Sequence, residues 1–335
     1  MTDIKSMTID ELKDYFTSIG EKAFRATQVY DWMHVKHASA FDDMSNLSKD
    51  LREKLKKDCD LVVLRIAKEL ISQIDGTRKY LFELEDGNVI ESVLMRYEHG
   101  LSVCISSQVG CRMGCRFCAS TIDGLVRNLA PSEMLEQIYR IEERVGERVS
   151  HVVIMGSGEP LDNYDNFVRL LELTGISHRN ITVSTCGLVP RIRQLADLKT
   201  GVTLALSLHA PNDDLRKTIM PIANAFSIKE LMEACKYYFD TTGRRITFEY
   251  SLIANVNDSE DCAVQLASLV KPVCAHVNLI PVNPVEEREY KQPYKETIMS
   301  FKSKLERYGI NVTIRREMGR DISGACGQLR RHFKE

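Results

Sequence analysis

Residues 101–120 read LSVCISSQVGCRMGCRFCAS. The segment SVCIS (102–106) is short, apolar and β-branched, which predicts a strand. It passes directly into a loop holding Cys111, Cys115 and Cys118, spaced C-x3-C-x2-C. A strand whose end carries reactive side chains is the unit from which barrel enzymes are built. The rest of the chain shows how often that unit recurs.

Five more strand-like runs follow, at 151–155, 181–185, 202–208, 246–252 and 276–280. Amphipathic stretches such as PSEMLEQIYRIEERV, YDNFVRLLEL and SIKELMEACKYYFD lie between them. Repeated strand–helix units imply a parallel sheet with right-handed crossovers. Six units are too few for a closed eight-stranded barrel. The expected fold is therefore α/β, an open partial (β/α)6 TIM-like barrel. Polar, Gly/Pro-rich segments follow successive strands: GSGEP (156–160), CGLVP (186–190), SLHAPND (207–213) and IPVNP (280–284). They place the site at the C-terminal face of the sheet.

Residues 1–60 carry helical periodicity and read as an N-terminal helical accessory domain, with Ser48 an expected N-cap. Residues 61–100 read as an antiparallel β-hairpin extension, turning at Asp86-Gly87 or the adjacent Gly87-Asn88. The barrel is expected over 101–290. A C-terminal helix, a strand and the loop around Cys326 occupy 291–335.

The chain has 335 residues and a formal charge of -2. No run of about 18 apolar residues exists, so no membrane span is expected. The acidic, amphipathic start does not resemble a secretory signal, and a cytoplasmic protein is expected. There the ten cysteines serve as thiols, metal ligands or catalytic groups. Residues 301–335 hold nine Lys/Arg against four Asp/Glu, and KDLREKLKK (49–57) is also basic. Such patches suit a polyanion or a solvated helix face.

Three clustered thiols pose a question of stoichiometry. Four would saturate a zinc ion or a four-iron cluster. Either a distant fourth ligand completes a structural zinc site, or one iron stays open for a small molecule. Cys104 and Cys326 read from the residues alone as buried or incidental thiols, although Gly324 and Gly327 would let the Cys326 loop move. Glu91 is an acid in an otherwise apolar strand, either a general base with a raised pKa or a hairpin acid facing water.

The loop, with Phe117 between its last two cysteines, resembles the radical S-adenosylmethionine (SAM) signature. That resemblance implies a [4Fe-4S] cluster held by Cys111, Cys115 and Cys118, with SAM as the fourth ligand and source of a 5′-deoxyadenosyl radical. GSGE resembles the superfamily's SAM amino-group motif. Longer blocks resemble the RlmN/Cfr family of RNA methyltransferases: FRATQVYDWM (24–33), CISSQVGCRMGCRFCAS (104–120), MGSGEPLDNYDN (155–166), LALSLHAPNDDLRKTIMPI (204–222) and DISGACGQL (321–329).

The family resemblance implies methylation of an adenine carbon in 23S rRNA and in tRNA beside the anticodon. Two SAM molecules are used, and a methylated cysteine carries the methyl. Position by position, Cys326 matches the methylated cysteine, Cys104 the resolving cysteine and Glu91 a proton acceptor. A transient Cys104–Cys326 disulfide would close the cycle. Gly158, Glu159, Ser184, Ser207, Leu208, His209 and Asn283 match SAM contacts. GEPL where the Cfr pattern reads GEAL favours the RlmN branch and carbon 2 over carbon 8, while Ser157 departs from the commoner methionine. An external electron donor such as flavodoxin or ferredoxin, a monomeric state and phosphate contacts from Arg315, Arg316, Arg320, Arg330, Arg331 and Lys334 are further expectations. The non-enzymatic alternative is a zinc-stabilised RNA-binding protein.

Overall fold

A computed structural model describes residues 1–273 and 275–329. Arg330, Arg331, Lys334 and Cys274 lie outside the described residues. Ten strands form the main sheet: β1 Arg65–Ile71, β2 Arg78–Glu83, β3 Val89–Tyr97, β4 Gly100–Cys104, β5 Val149–Ile154, β6 Ile181–Thr185, β7 Thr203–Ser207, β8 Ile246–Leu252, β9 Ala275–Pro281 and β10 Asn311–Ile314. Every strand neighbours its successor in sequence, and the sheet is open, with β1 and β10 at its edges.

β1–β4 pair antiparallel, and β4–β10 pair parallel. The partial barrel expected from strand–helix alternation is present. The C-terminal strand extends it, since β10 joins β9 in parallel. Helices α4 Pro131–Val145, α5 Tyr164–Leu173, α6 Val189–Asp197, α7 Asp213–Ile219, α8 Ile228–Thr242, α9 Glu260–Val270 and α10 Lys295–Arg307 fill the crossovers. Parallel strands covered by helices read as near-continuous apolar runs, and one core unites β2–β10 with these helices. Glu249 on β8 is a buried exception at 4% exposure.

The β2–β3 turn forms where expected. Gly87 adopts φ +78°, and Asn88 N–H donates to Asp86 Oδ1 at 3.0 Å. Helices α1 Ile9–Ser18, α2 Phe24–His34 and α3 Lys49–Asp58 build a separate small core. The Ser48 hydroxyl caps the last of them by accepting from Leu51 N–H at 3.2 Å.

This small core docks on α4 through buried polar groups. Lys5 Nζ lies 2.6 Å from Glu136 Oε1, both side chains being inaccessible to solvent. Glu136 Oε2 also accepts from Leu64 N–H at 3.1 Å. His34 Nδ1 meets Tyr139 Oη at 3.0 Å, and burial holds the imidazole down at about 3, hence neutral. A buried charge needs such partners, because an unpaired one is costly. Among the described residues no helix is long and apolar enough to cross a membrane.

Candidate active site

Two chambers open at the C-terminal face of the parallel strands. The inner chamber is lined by all three cysteines of the 111–118 loop and by Gly158, Glu159, Ser184, Ser207, His209 and Asn283. The outer chamber lies against β3 and β4, with Val93, Met95, Tyr97 and Cys104 in its wall. Cys326, Asn283, Arg315, Met155 and Ile280 line both. Cys326 thus belongs to a partition between the chamber of the cluster loop and that of Cys104. Both cysteines are free thiols.

The cluster loop follows β4, and its cysteines line the inner chamber. Burial pushes the Cys111 thiol up to about 12 and raises Cys115 and Cys118 as well. As thiolates these three need a cationic group between them. Three thiols line one chamber, and a [4Fe-4S] cluster is held by thiolates. The residues present fit that cluster.

The GSGE segment closes on β4 rather than merely leaving room for a ligand. A Cβ on Gly156 would stand 2.7 Å from Ile105 O and Ser106 Oγ. One on Gly158, at φ +109°, would stand 2.7 Å from Gln108 Cβ and Ser107 Oγ. Ser157 is fixed there too: its N–H donates to Ser106 Oγ at 3.0 Å, and its hydroxyl donates to Ser120 Oγ at 3.1 Å. The serine thereby ties the β5 end to the cluster loop.

Gly158→Ala is expected to weaken SAM binding at least tenfold and to lower the melting temperature. Overpacking costs about 1–3 kcal/mol, and the left-handed backbone adds roughly 1–2 kcal/mol. Titration of the cluster spectrum with SAM and a thermal melt measure both. Gly175→Ala, with nothing within 4 Å of the added methyl, should match wild type.

Glu159 is 3% exposed, and its carboxylate accepts from Cys186 N–H at 2.7 Å and Leu161 N–H at 3.1 Å. Burial raises its pKa, opposed by those bonds. Ser184 Oγ and Ser207 Oγ lie 3.3 Å apart across β6 and β7. His209 Nδ1 accepts from Ser251 N–H at 2.9 Å, and burial takes its pKa down to about 3. The neutral ring therefore carries its proton on Nε2, and it stands T-shaped against the Phe117 ring with centroids 4.9 Å apart at 78°. Asn283 Nδ2 donates to Cys326 O at 2.9 Å. Leu208 lines neither chamber; its backbone bonds Glu249 O and Arg216 Nε instead.

Glu91 is neither isolated nor facing water. It is 3% exposed, and its Oε1 lies 3.0 Å from Lys79 Nζ. It shares a face of β3 with Val93, Met95 and Tyr97, because strand side chains alternate, yet it does not line the outer chamber. Arg315 also differs from expectation. Its guanidinium is taken up in the partition, 3.6 Å from Glu249 Oε2 and 3.5 Å from Met155 Sδ. The neighbouring Cys326 contributes most to holding Arg315 charged.

Sequence reasoning missed Glu249, Lys79 and Cys186. Glu249 did carry a signal, a lone acid amid the apolar ITFEYSL. Cys186 lines the inner chamber beside the cluster thiols, but one cysteine in a motif gives no such hint.

Residues 2–61 match the family described as ribosomal RNA large subunit methyltransferase N-terminal domain, and residues 105–266 match the radical SAM superfamily. A probable dual-specificity RNA methyltransferase RlmN from Lachnospira eligens is 63% identical, over 100% of this chain and 97% of its own. The chain belongs to the RlmN family. A second RlmN relative, from Clostridioides difficile, is 53% identical over 99% of this chain and 98% of its own. The crystal structure of a radical SAM methyltransferase from Sphaerobacter thermophilus superimposes with a TM-score of 0.95 at 42% identity, covering 99% of this chain and 100% of that one. The chain is thus a SAM-dependent RNA methyltransferase with a [4Fe-4S] cluster, and the RlmN relatives count against the Cfr branch.

Proposed function

We propose that this chain methylates carbon 2 of an adenine in 23S rRNA, and of the adenine beside the anticodon in tRNA, through a methylated Cys326. The observation that supports it most is the placement of Cys326 in a wall shared by the cluster chamber and the Cys104 chamber. A methyl carrier must meet SAM on one side and the base on the other.

Cys111, Cys115 and Cys118, which line the inner chamber, would hold the [4Fe-4S] cluster, which would supply the electron for reductive cleavage of SAM. Gly158, Glu159, Ser184, Ser207, His209 and Asn283 form the SAM-binding wall; Leu208 positions it through the backbone. Cys326 first attacks the methyl carbon of one SAM as a thiolate. Its lone pair forms the S–C bond, and the broken bond's pair stays on the departing sulfide. The 5′-deoxyadenosyl radical from a second SAM takes a hydrogen atom from that S-methyl group, and the resulting carbon radical adds to the base. The adduct radical gives up one electron to the electron-transfer partner and loses the proton of adenine C2. The Cys104 thiolate then attacks Cys326 Sγ, forming the disulfide as the Cys326 S–CH2 bond breaks, and that bond's electron pair with a proton completes the new methyl group. Glu91 serves as proton acceptor, one strand step from the chamber wall.

The reacting base must leave its stack to enter such a chamber. Arg316 and Arg320, both exposed, and the N-terminal helical domain are its RNA-facing elements. The enzyme acts as a cytoplasmic monomer supplied with electrons by a flavodoxin or ferredoxin.

Nucleoside mass spectrometry tests the assignment, using large-subunit rRNA and tRNA from a strain lacking the modification. 2-Methyladenosine is expected. 8-Methyladenosine would move the chain to the Cfr activity, and no methyladenosine would remove the RNA substrate.

A further inference from the structure

Cys326 sits at the meeting point of two sets of tethers. Those after it in sequence come from the barrel. Gly327 O accepts from Ala119 N–H at 2.8 Å, and Leu329 O accepts from Ser120 Oγ at 2.8 Å. Both donors directly follow Cys118 in the cluster loop.

The tethers before it come from the antiparallel extension. Asp321 Oδ1 accepts from Ser72 Oγ at 2.6 Å, and Asp321 Oδ2 accepts from Gln73 N–H at 2.9 Å. Asp75 Oδ2 accepts from Gly319 N–H at 3.0 Å. Lys79 Nζ donates to Ser323 O at 3.3 Å while pairing with Glu91 at 3.0 Å. Lys79 is 4% exposed, a burial that is unfavourable unless both partners stay in place.

We propose that the β1–β2 turn and Lys79 form a clamp that positions Cys326 between the two chambers. This rests on the reading of Cys326 as the methyl carrier. Asp321, Asp75 and Lys79 are positioning residues: none lines either chamber, and each acts through the loop at 319–323. The Lys79–Glu91 pair is the buried end of the clamp, and Asp321 its exposed end. The two glycines beside Cys326 leave the loop free to pivot only while the clamp fixes where the pivot stands. The extension, none of whose described residues lines the inner chamber, thereby takes part in methyl transfer.

The test uses the full chain with its cluster reconstituted. Asp321→Ala removes two tethers at an exposed site, so folding should survive. Lys79→Met is the harsher companion, and Asp321→Asn keeps an acceptor. In Asp321→Ala, amide exchange over 318–326 should quicken at least tenfold, with the barrel strands unchanged. A displacement of about 1 Å can cost about 10²-fold in rate, so kcat should fall roughly 10- to 100-fold. KM for RNA should stay within about twofold, and iron content should equal wild type. Asp321→Asn should recover part of both effects.

Unchanged exchange at 318–326 would overturn the clamp, as would wild-type kcat alongside quickened exchange. A kcat loss matched by an equal iron loss would also overturn it. A wild-type chain that methylates no RNA sinks the functional reading alone, since exchange reports the clamp directly.

Discussion

Cys326→Ala is expected to keep its full iron content and to lose RNA methylation by a factor on the order of 10⁴–10⁶, the scale for removing a covalent nucleophile. Cys111, Cys115 and Cys118, the proposed cluster ligands, lie in a separate loop, and the backbone at 326 is held by bonds that alanine retains. Asn283 Nδ2 still donates to the carbonyl of residue 326, and Ala119 still donates to Gly327 O. Only the sulfur disappears. SAM cleavage to 5′-deoxyadenosine should drop as well, because the methyl group that yields the hydrogen atom is gone. Iron analysis, nucleoside mass spectrometry and chromatography of the SAM products measure the three quantities. A variant that still methylated RNA would remove the covalent route.

Cys104→Ala should accumulate a covalent protein–RNA species. Cys104 ends β4 at the wall of the outer chamber, 7% exposed. Burial pushes its thiol up to about 12, and Arg315 pulls in the opposite direction. Only the thiolate attacks sulfur. Below that pKa the thiolate fraction rises about tenfold per pH unit. Release of the wild-type adduct should therefore quicken from pH 7 to pH 9, whereas the alanine variant should show no such dependence. Denaturing gels of RNA-labelled protein would show a band near enzyme stoichiometry in the variant and a transient one in wild type. Absence of the band in both would remove the resolving role of Cys104.

Much of this architecture was legible in the sequence because strand ends carry its chemistry. SVCIS, HVVIM and VTLALSL are apolar runs that only a covered parallel sheet accommodates, and each leads into residues that line the inner chamber. The cysteine spacing and the GSGE segment marked that chamber without any contact information. What sequence could not show was pairing across long separations. Lys79 and Glu91 read as unrelated positions on two strands, yet they pair diagonally across the β2–β3 hairpin, and Lys79 reaches Ser323. Arg315 read as one of several basic residues near the C-terminus. Only the pairing of β10 with β9 brings it opposite Glu249 and into the partition. GSGE resembles a ligand-binding motif, yet the nearest neighbours of its glycines are residues 105–108 of the chain itself.

The most direct test of Cys326 as the methyl carrier is isotopic. Reaction with SAM bearing a trideuterated methyl group should give RNA whose new methyl holds two deuterium atoms, the third having passed to 5′-deoxyadenosine. A product methyl holding all three deuterium atoms would mean intact transfer to the base and would contradict the account.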